Sequence, residues 1–305
     1  KTFIEASNTT KYEEWFFSIS VYDGFNWSDW SNSSNITIKK NSYGNLEDLY
    51  LIHPKEYIND LFKLIPSNGI FPLGNEPYAD TFLCPQSKNS IMASFGAGIS
   101  AADSLMNQNI NKFFCAVRPP GHHAETTRAN GFCFVNNIAI TAKYLQKKYL
   151  IKKIAIIDFD VHHCNGTQEI FYKNHDIFCG SIHQFPLFPG TGTKEEKGVG
   201  NIFNVPIDAN TNSDLFINLF NKEILNELDK FKPEIILISA GFDAHETDPI
   251  ANINLKSHDY FTITKNIVDL SNIHCSGKII SFLEGGYDLN SLSESIQYHL
   301  KALIE

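Results

Sequence analysis

From Tyr43 to the C-terminus, short apolar runs alternate with longer, helix-like stretches. The short runs Phe113–Val117, Ile154–Ile157, Phe178–Ile182, Ile235–Ser239 and Lys278–Leu283 predict strands. The longer stretches Ser87–Asn107, Val135–Lys148, Asp214–Lys230, His258–Asn272 and Ser291–Ile304 predict helices. The last of them opens with Ser291-Leu-Ser-Glu294, a spacing that predicts a capping box at its N-terminus. Strand and helix in alternation predict an α/β fold, a parallel sheet covered by helices on both faces.

Residues 1–42 show another pattern. Phe16–Tyr22 and Asn35–Lys39 read as strands around a turn-rich segment that begins at Asp23-Gly24, and all three tryptophans of the chain (Trp15, Trp27, Trp30) lie in this region. The expectation is a short β-rich, hairpin-like segment, a surface-module remnant or linker, ahead of a catalytic domain over residues 43–305. The chain opens on Lys1, so its natural start is expected to lie upstream.

Composition changes this picture little. At 305 residues and 43% hydrophobic content there is ample material for a buried core. A formal charge of -9, with Arg118 and Arg128 the two arginines, argues against direct nucleic-acid binding, which needs clustered cations. The six cysteines are scattered without a paired spacing and read as free thiols. No apolar run reaches the roughly 18 residues of a membrane helix, so no membrane partner is expected. The location expected is cytoplasmic, or nuclear in a eukaryote.

Residues able to do chemistry cluster just beyond the strand ends. Phe113–Val117 runs into Arg118-Pro-Pro-Gly-His-His123, and Ile154–Ile157 runs into Asp158-Phe-Asp-Val-His162. Phe178–Ile182 leads to His183, Ile235–Ser239 to Gly241-Phe-Asp243, and Lys278–Leu283 to Glu284-Gly-Gly-Tyr287. Ligands of open parallel sheets bind at the carboxyl ends of the strands, so these segments are expected to converge on one crevice. Asp158, Asp160 and His162 share a face if the strand continues to its end. Two carboxylates crowded there repel each other unless a cation, a histidine or several hydrogen bonds lie between them, and a metal is the economical reading.

Asp160, His162 and Asp243 offer O, N and O ligands with a position left open, which suits zinc first and iron, cobalt or manganese on ligand chemistry alone. Of His122 and His123, one is expected to accept a proton from water and the other to act as a charged neighbour. Asp158 and Asn165 are the partners expected to orient them and separate their pKa values. Tyr287, carried by two glycines, is placed to donate to an oxyanion, while Gly131, Phe132 and Phe188 offer walls for a narrow slot.

Taken in order, Arg118–Glu125, Gly131–Asn136, Asp158–His163, Ser239–Ala244 and Glu284–Tyr287 resemble the histone deacetylase, acetylpolyamine amidohydrolase and acetoin-utilisation superfamily, in its class II-like or bacterial branch. The resemblance covers residues 43–305. It implies the arginase-deacetylase fold, one zinc ion held by Asp160, His162 and Asp243, His123 as general base and acid, His122 as its electrostatic partner, and Tyr287 as the oxyanion donor. It also implies that Phe132 and Phe188 sandwich an acyl-lysine stem, with Ile250 lower in the channel and Asp80 at the rim. A potassium ion is implied through the side chains of Asp158 and Ser181 and the carbonyls of Asp160, His162 and Ile182.

The chain departs from the family pattern in Cys164, where glycine is usual, in the polar run His245-Glu246-Thr247, and in lacking the opening strand and its histidine-proline segment before Tyr43. The activity implied is hydrolysis of the amide of acetyl-lysine, on a histone or another protein, or of an acetylpolyamine, by metal-activated water with release of acetate. Two alternatives stand beside it: a catalytically impaired acyl-lysine-binding scaffold, and an arginase-like hydrolase, which would need a second metal and more Asp ligands. The acidic charge favours cationic substrates.

Overall fold

The computed structural model describes residues 43–74, 79–108 and 110–305. The hairpin expected within residues 1–42 lies outside them. All five apolar runs expected to be strands are strands, and the sheet they build is wholly parallel. Ahead of it, β1 (Phe71–Leu73) and β2 (Thr81–Leu83) pair antiparallel. The sheet proper takes β3 (Lys112–Cys115), β4 (Ile154–Asp158), β5 (Ile177–Gln184), β6 (Ile202–Ile207), β7 (Ile235–Ala240) and β8 (Ile279–Leu283) in the order β3-β8-β7-β4-β5-β6. Strands β4, β5, β7 and β8 are buried at every position, which is why their sequences carry no polar alternation.

Helices cover both faces. On one side lie α3 (Ser87–Asn107), α4 (Asn137–Tyr149) and α5 (Asn165–Phe171), whose Ala102, Ile138, Ala142 and Phe171 pack with Ile154, Ile156, Leu237 and Ile280 of the sheet. The other side takes α6 (Ser213–Leu219), α7 (Asn226–Phe231), α8 (Asp259–His274) and α9 (Leu289–Ile304), packed on Ile157, Phe178, Ile236 and Ile238. Two N-terminal helices, α1 (Leu46–Leu49) and α2 (Lys55–Lys63), close a third cluster with Leu83, Phe95 and Phe134.

Two expectations need correction. The stretch Asp214–Lys230 is not one regular helix, because Phe220–Leu225 forms a π-helical turn between α6 and α7. The wider turn lets Phe220, Ile224 and Leu225 all face the sheet. Helix α9 begins at Leu289, not Ser291, and its cap is Asp288, whose carboxylate accepts from Ser291 N at 2.8 Å. Glu294 accepts from the Ser257 hydroxyl at 3.0 Å instead of closing a capping box.

The strand order fixes where a site can form. After β4 the chain moves outward through β5 and β6, then returns to β7 on the other side of β4 and continues to β8. Loops leaving β4 and β7 therefore diverge, and the crevice between them opens at the carboxyl end of the sheet.

Candidate active site

Strand β4 ends at Asp158, so Asp158, Asp160 and His162 do not line one face as the alternation predicts. Two successive Asx turns set their directions instead. Asp160 N donates to Asp158 Oδ1 at 3.0 Å, and His162 N donates to Asp160 Oδ1 at 2.9 Å, folding the chain back at each step. Phe159 and Val161 point into the core between them, both buried. Asp158 thereby leaves the set and turns towards His122, while Asp160 and His162 face Asp243 from the β7 loop.

In that group His162 Nδ1 lies 3.1 Å from both Asp160 Oδ1 and Asp243 Oδ2. The three ligand atoms lie within 4.8 Å of one another and all three residues are buried. Among the described residues this is the group of His, Cys, Asp and Glu with such geometry. The remaining carboxylate oxygens are held by backbone, Asp160 Oδ2 by Gly285 N at 2.7 Å and Asp243 Oδ1 by Val161 N at 2.9 Å. Burial, with Asp160 next to it, pushes the Asp243 carboxyl up to about 6. Burial alone would lower His162, yet its bonds to the two carboxylates push it up to about 10. Two buried carboxylates thus hold a positive charge between them, and a divalent cation satisfies the same demand with the imidazole as a neutral ligand. Gly285 makes the approach possible, since a Cβ there would run into the carboxylates of Asp243 and Asp160.

The histidine pair divides as its partners dictate. His122 Nδ1 donates to Asp158 Oδ2 at 3.0 Å, and His123 Nδ1 donates to Asn165 Oδ1 at 2.8 Å. Both are buried, with ring centroids 4.0 Å apart. Burial opposes the charge on His122, but Asp160, Asp158 and Glu284 together raise it well above the usual histidine range. Burial and then the charge on His122 hold His123 well below that range. One imidazole is therefore cationic and its neighbour neutral.

The slot residues also come together. Phe188 stands edge-on to His123 at 5.0 Å and Phe132 lies 5.9 Å from the Tyr287 ring, and Phe132, Phe188 and Ile250 are exposed. Gly131 adopts a φ of 52°, and a Cβ there would meet the His123 ring and Phe188. Asp80 lies behind this turn: its Oδ2 accepts from Gly131 N at 3.3 Å and its Oδ1 from the Thr81 hydroxyl at 2.7 Å. Burial and the carboxylates of Asp243 and Asp160 raise the Tyr287 phenol, so its hydroxyl stays a donor.

Of the residues expected around a potassium ion, Asp158 and Ser181 are register partners across β4 and β5. Ser181 Oγ lies 2.9 Å from His183 Nδ1, and Ile182 is the next residue along β5. Cys164 is buried and its thiol is pushed well up by burial, so it packs as an inert residue beside α5. The polar run after Asp243 is tied down by His245 with Thr247 and Ser257 and by a Glu246–Lys256 ion pair.

Several residues that brace the site have no role assigned by sequence pattern. Glu284, fully buried and pushed up to about 7 by burial, accepts from Gly121 N, His122 N and the Ser239 hydroxyl. It caps the apolar strand β8 as Asp158 ends β4, and that parallel is the signal the sequence offers for it. Glu125 accepts from Asn165 Nδ2 at 2.8 Å. His53, whose position offers no such signal, accepts from Asn136 N at 2.9 Å and donates to Thr126 O at 3.0 Å, which anchors the loop that leads into α4. His163, Gln168 and Glu196 link α5 to the Phe188 loop, with Glu196 accepting from Gly192 N and Thr193 N at 2.9 Å each.

A parallel α/β sheet thus carries, beyond the carboxyl ends of its strands, a buried Asp-His-Asp group that could hold a metal ion, beside a split histidine pair and a tyrosine. The chain matches the family model of the histone deacetylase domain over residues 22–303, and it belongs to that family, whose members are amide hydrolases. It is 37% identical over 272 residues to histone deacetylase 14, chloroplastic, of Arabidopsis thaliana, covering 85% of this chain and 64% of that protein. It is 36% identical to a probable deacetylase of Archaeoglobus fulgidus, covering 84% and 71% of the two chains. With the histone deacetylase-like amidohydrolase of Pseudomonas aeruginosa it shares 33% identity, over 79% and 63% of the two chains. The solved HD domain of HDA15 superposes with a TM-score of 0.81 at 31% identity, covering 87% of this chain and 74% of that one. The fold is thus the arginase-deacetylase fold expected. The chain spans somewhat under two thirds of the length of the Arabidopsis relative. No helix of the described residues is long and apolar enough to cross a membrane.

Proposed function

We propose that this chain is a zinc-dependent deacylase that hydrolyses the amide of acetyl-lysine or of an acetylated polyamine and releases acetate. The observation that carries the reading is the buried group of Asp160, His162 and Asp243 beside a histidine pair in which His122 is bonded to a carboxylate and His123 to an amide. Asp160, His162 and Asp243 would hold the metal, with a position left for substrate and water. When bound, zinc polarises the amide carbonyl and lowers the pKa of water towards neutrality.

The chain's own groups do the rest. His123, with Nδ1 committed to Asn165, presents Nε2 to take a proton from the attacking water and then to return it to the departing amine. His122, held cationic by Asp158, adds fixed positive charge beside the developing oxyanion, to which Tyr287 donates. Phe132 and Phe188 sheathe an apolar acyl-lysine stem, Ile250 lines the slot lower down, and Asp80 supports the rim at Gly131. Asp158 and Ser181, with the carbonyls of Asp160, His162 and Ile182, are the residues assigned to potassium. The net charge of -9 favours cationic substrates such as lysine tails and polyamines.

The test is hydrolysis of an acetyl-lysine peptide and of an acetylpolyamine by the purified chain, with metal analysis, beside Asp243→Ala. Activity with about one zinc per chain, the stoichiometry of a single three-ligand site, and loss of both in the variant is the expected result. Folded protein that takes up no metal, or activity that survives in Asp243→Ala, would overturn the reading.

A further inference from the structure

Asp248 lies in the loop after β7, buried, and its two carboxylate oxygens are divided between two segments of the slot. Oδ2 accepts from Tyr287 N at 2.8 Å, and Oδ1 accepts from Ile250 N at 3.2 Å. Burial works against a charge here and the backbone donors restore part of it. Backbone amides of Tyr287, Ile250 and Asp288 all donate to this carboxylate, and no apolar side chain could accept from them.

The segment it grips has little rigidity of its own. Tyr287 comes directly after Gly285 and Gly286, and Gly286 sits at a φ of 130°, a region closed to other residues. Two glycines impose no side-chain packing on the peptide that aims the phenol. On the opposite side Arg118 donates to Glu284 O at 2.5 Å and to Gly286 O at 3.3 Å. The Gly-Gly-Tyr turn is therefore held between a guanidinium that takes its carbonyls and a carboxylate that takes the amide of Tyr287.

We infer that Asp248 is a positioning residue: by tying the Gly-Gly-Tyr turn to the loop after β7 it fixes where the Tyr287 hydroxyl points. The inference rests on the proposed role of Tyr287 as oxyanion donor. Oxyanion donors act only when held at the position the charge will occupy, and a displacement of about 1 Å can cost up to about 10²-fold.

A double-mutant cycle on the zinc-loaded chain tests it. Tyr287→Phe should lower kcat by about 10²–10³-fold, the size of one oxyanion donor. Asp248→Ala should lower kcat by about 10-fold or more with a smaller change in KM, and Asp248→Asn, which keeps one acceptor oxygen, should restore part of the loss. In the Tyr287→Phe background Asp248→Ala should have almost no further effect on kcat, since there is no hydroxyl left to misplace. Hydrogen exchange on the metal-free protein gives a readout apart from turnover: the Tyr287 amide should exchange faster in Asp248→Ala.

An equal fold loss from Asp248→Ala in both backgrounds, or unchanged exchange at Tyr287, would overturn the inference. If Tyr287→Phe alone leaves kcat intact, the oxyanion role itself has failed and takes this inference with it, a result distinguishable because it appears in the single variant. Should Asp248→Ala lose its fold by circular dichroism, the same cycle run with Asp248→Asn decides.

Discussion

Asn165 presents its carbonyl oxygen, not its amide nitrogen, to the ring of His123. Its Nδ2 donates to Glu125, which is itself held by Arg128, and to the His123 backbone carbonyl, so Oδ1 faces His123 Nδ1 at 2.8 Å. This fixes the imidazole tautomer with hydrogen on Nδ1 and a free lone pair on Nε2. It also gives His123 a neutral partner where His122 has a carboxylate, and that difference separates the two histidines.

Replacing that amide by a carboxylate should undo the separation. Asn165→Asp places a negative charge on His123 Nδ1, which favours the imidazolium and raises a pKa now held low by burial and by His122. The base works in its neutral form, so the acid limb of the kcat/KM profile should move to higher pH, by about one unit or more for a charge at hydrogen-bond distance. Turnover below neutral pH should fall while metal content holds. A profile that does not move would remove His123 from the role of base.

Gly285→Ala tests how closely the metal group is packed. The added methyl would meet the carboxylates of Asp243 and Asp160, and the Gly285 amide now bonded to Asp160 at 2.7 Å would have to shift. Metal affinity should fall by about 10–100-fold or more, the range for disturbing groups that orient ligands. Competition against a chromophoric chelator measures it, and an affinity equal to that of the unmodified chain would contradict the geometry.

Phe159 links the core to the site, because it stands between Asp158 and Asp160 and is fully buried against Phe242, Tyr260 and His299, with ring centroids 6.2, 6.1 and 6.0 Å away. Phe159→Ala should cost about 3–5 kcal/mol of stability, the range for truncating a buried phenylalanine. Urea unfolding monitored by circular dichroism checks this through a lower midpoint at unchanged slope. A loss under about 1 kcal/mol would mean that the surrounding side chains collapse into the space.

The pH dependence of stability has an identifiable contributor in the core, His299, which packs against Phe159 and Phe242. His299 is fully buried between the hydroxyls of Thr264 and Ser281, at 2.7 and 2.9 Å, and burial pushes it down to about 3. The unfolded chain takes up this proton below about 6.5, so the contribution is fully present above that pH and is lost as pH falls towards 3. In that window the slope of unfolding free energy against pH should drop by about 1.4 kcal/mol per unit in His299→Gln relative to the unmodified chain. Parallel curves for the two proteins would show that His299 titrates normally.

Much of the fold was legible because parallel-sheet strands buried on both faces leave continuous apolar runs, and β4, β5, β7 and β8 are such strands. Strand β6 was not, since Pro206 interrupts its sequence. It is tolerated there because β6 is the edge strand, where one side needs no partner. The β1–β2 pair is short, three residues a strand, and carries too few residues for a period to show.

The sequence by itself determined the chemistry of the site: which side chains end each strand, and hence that Asp160, His162 and Asp243, the two histidines and Tyr287 belong to one crevice. Side-chain type and strand-end position are local properties, and a parallel sheet turns them into proximity without further information. Only the tertiary structure decided how those groups are aimed. The Asx turns that swing Asp158 away from Asp160, the Glu125–Asn165–His123 chain and the clamp of Arg118 and Asp248 on the Gly-Gly-Tyr turn set the direction of each group. Hydrogen bonds of that kind depend on ångström-scale placement within and across loops, which residue pattern does not encode.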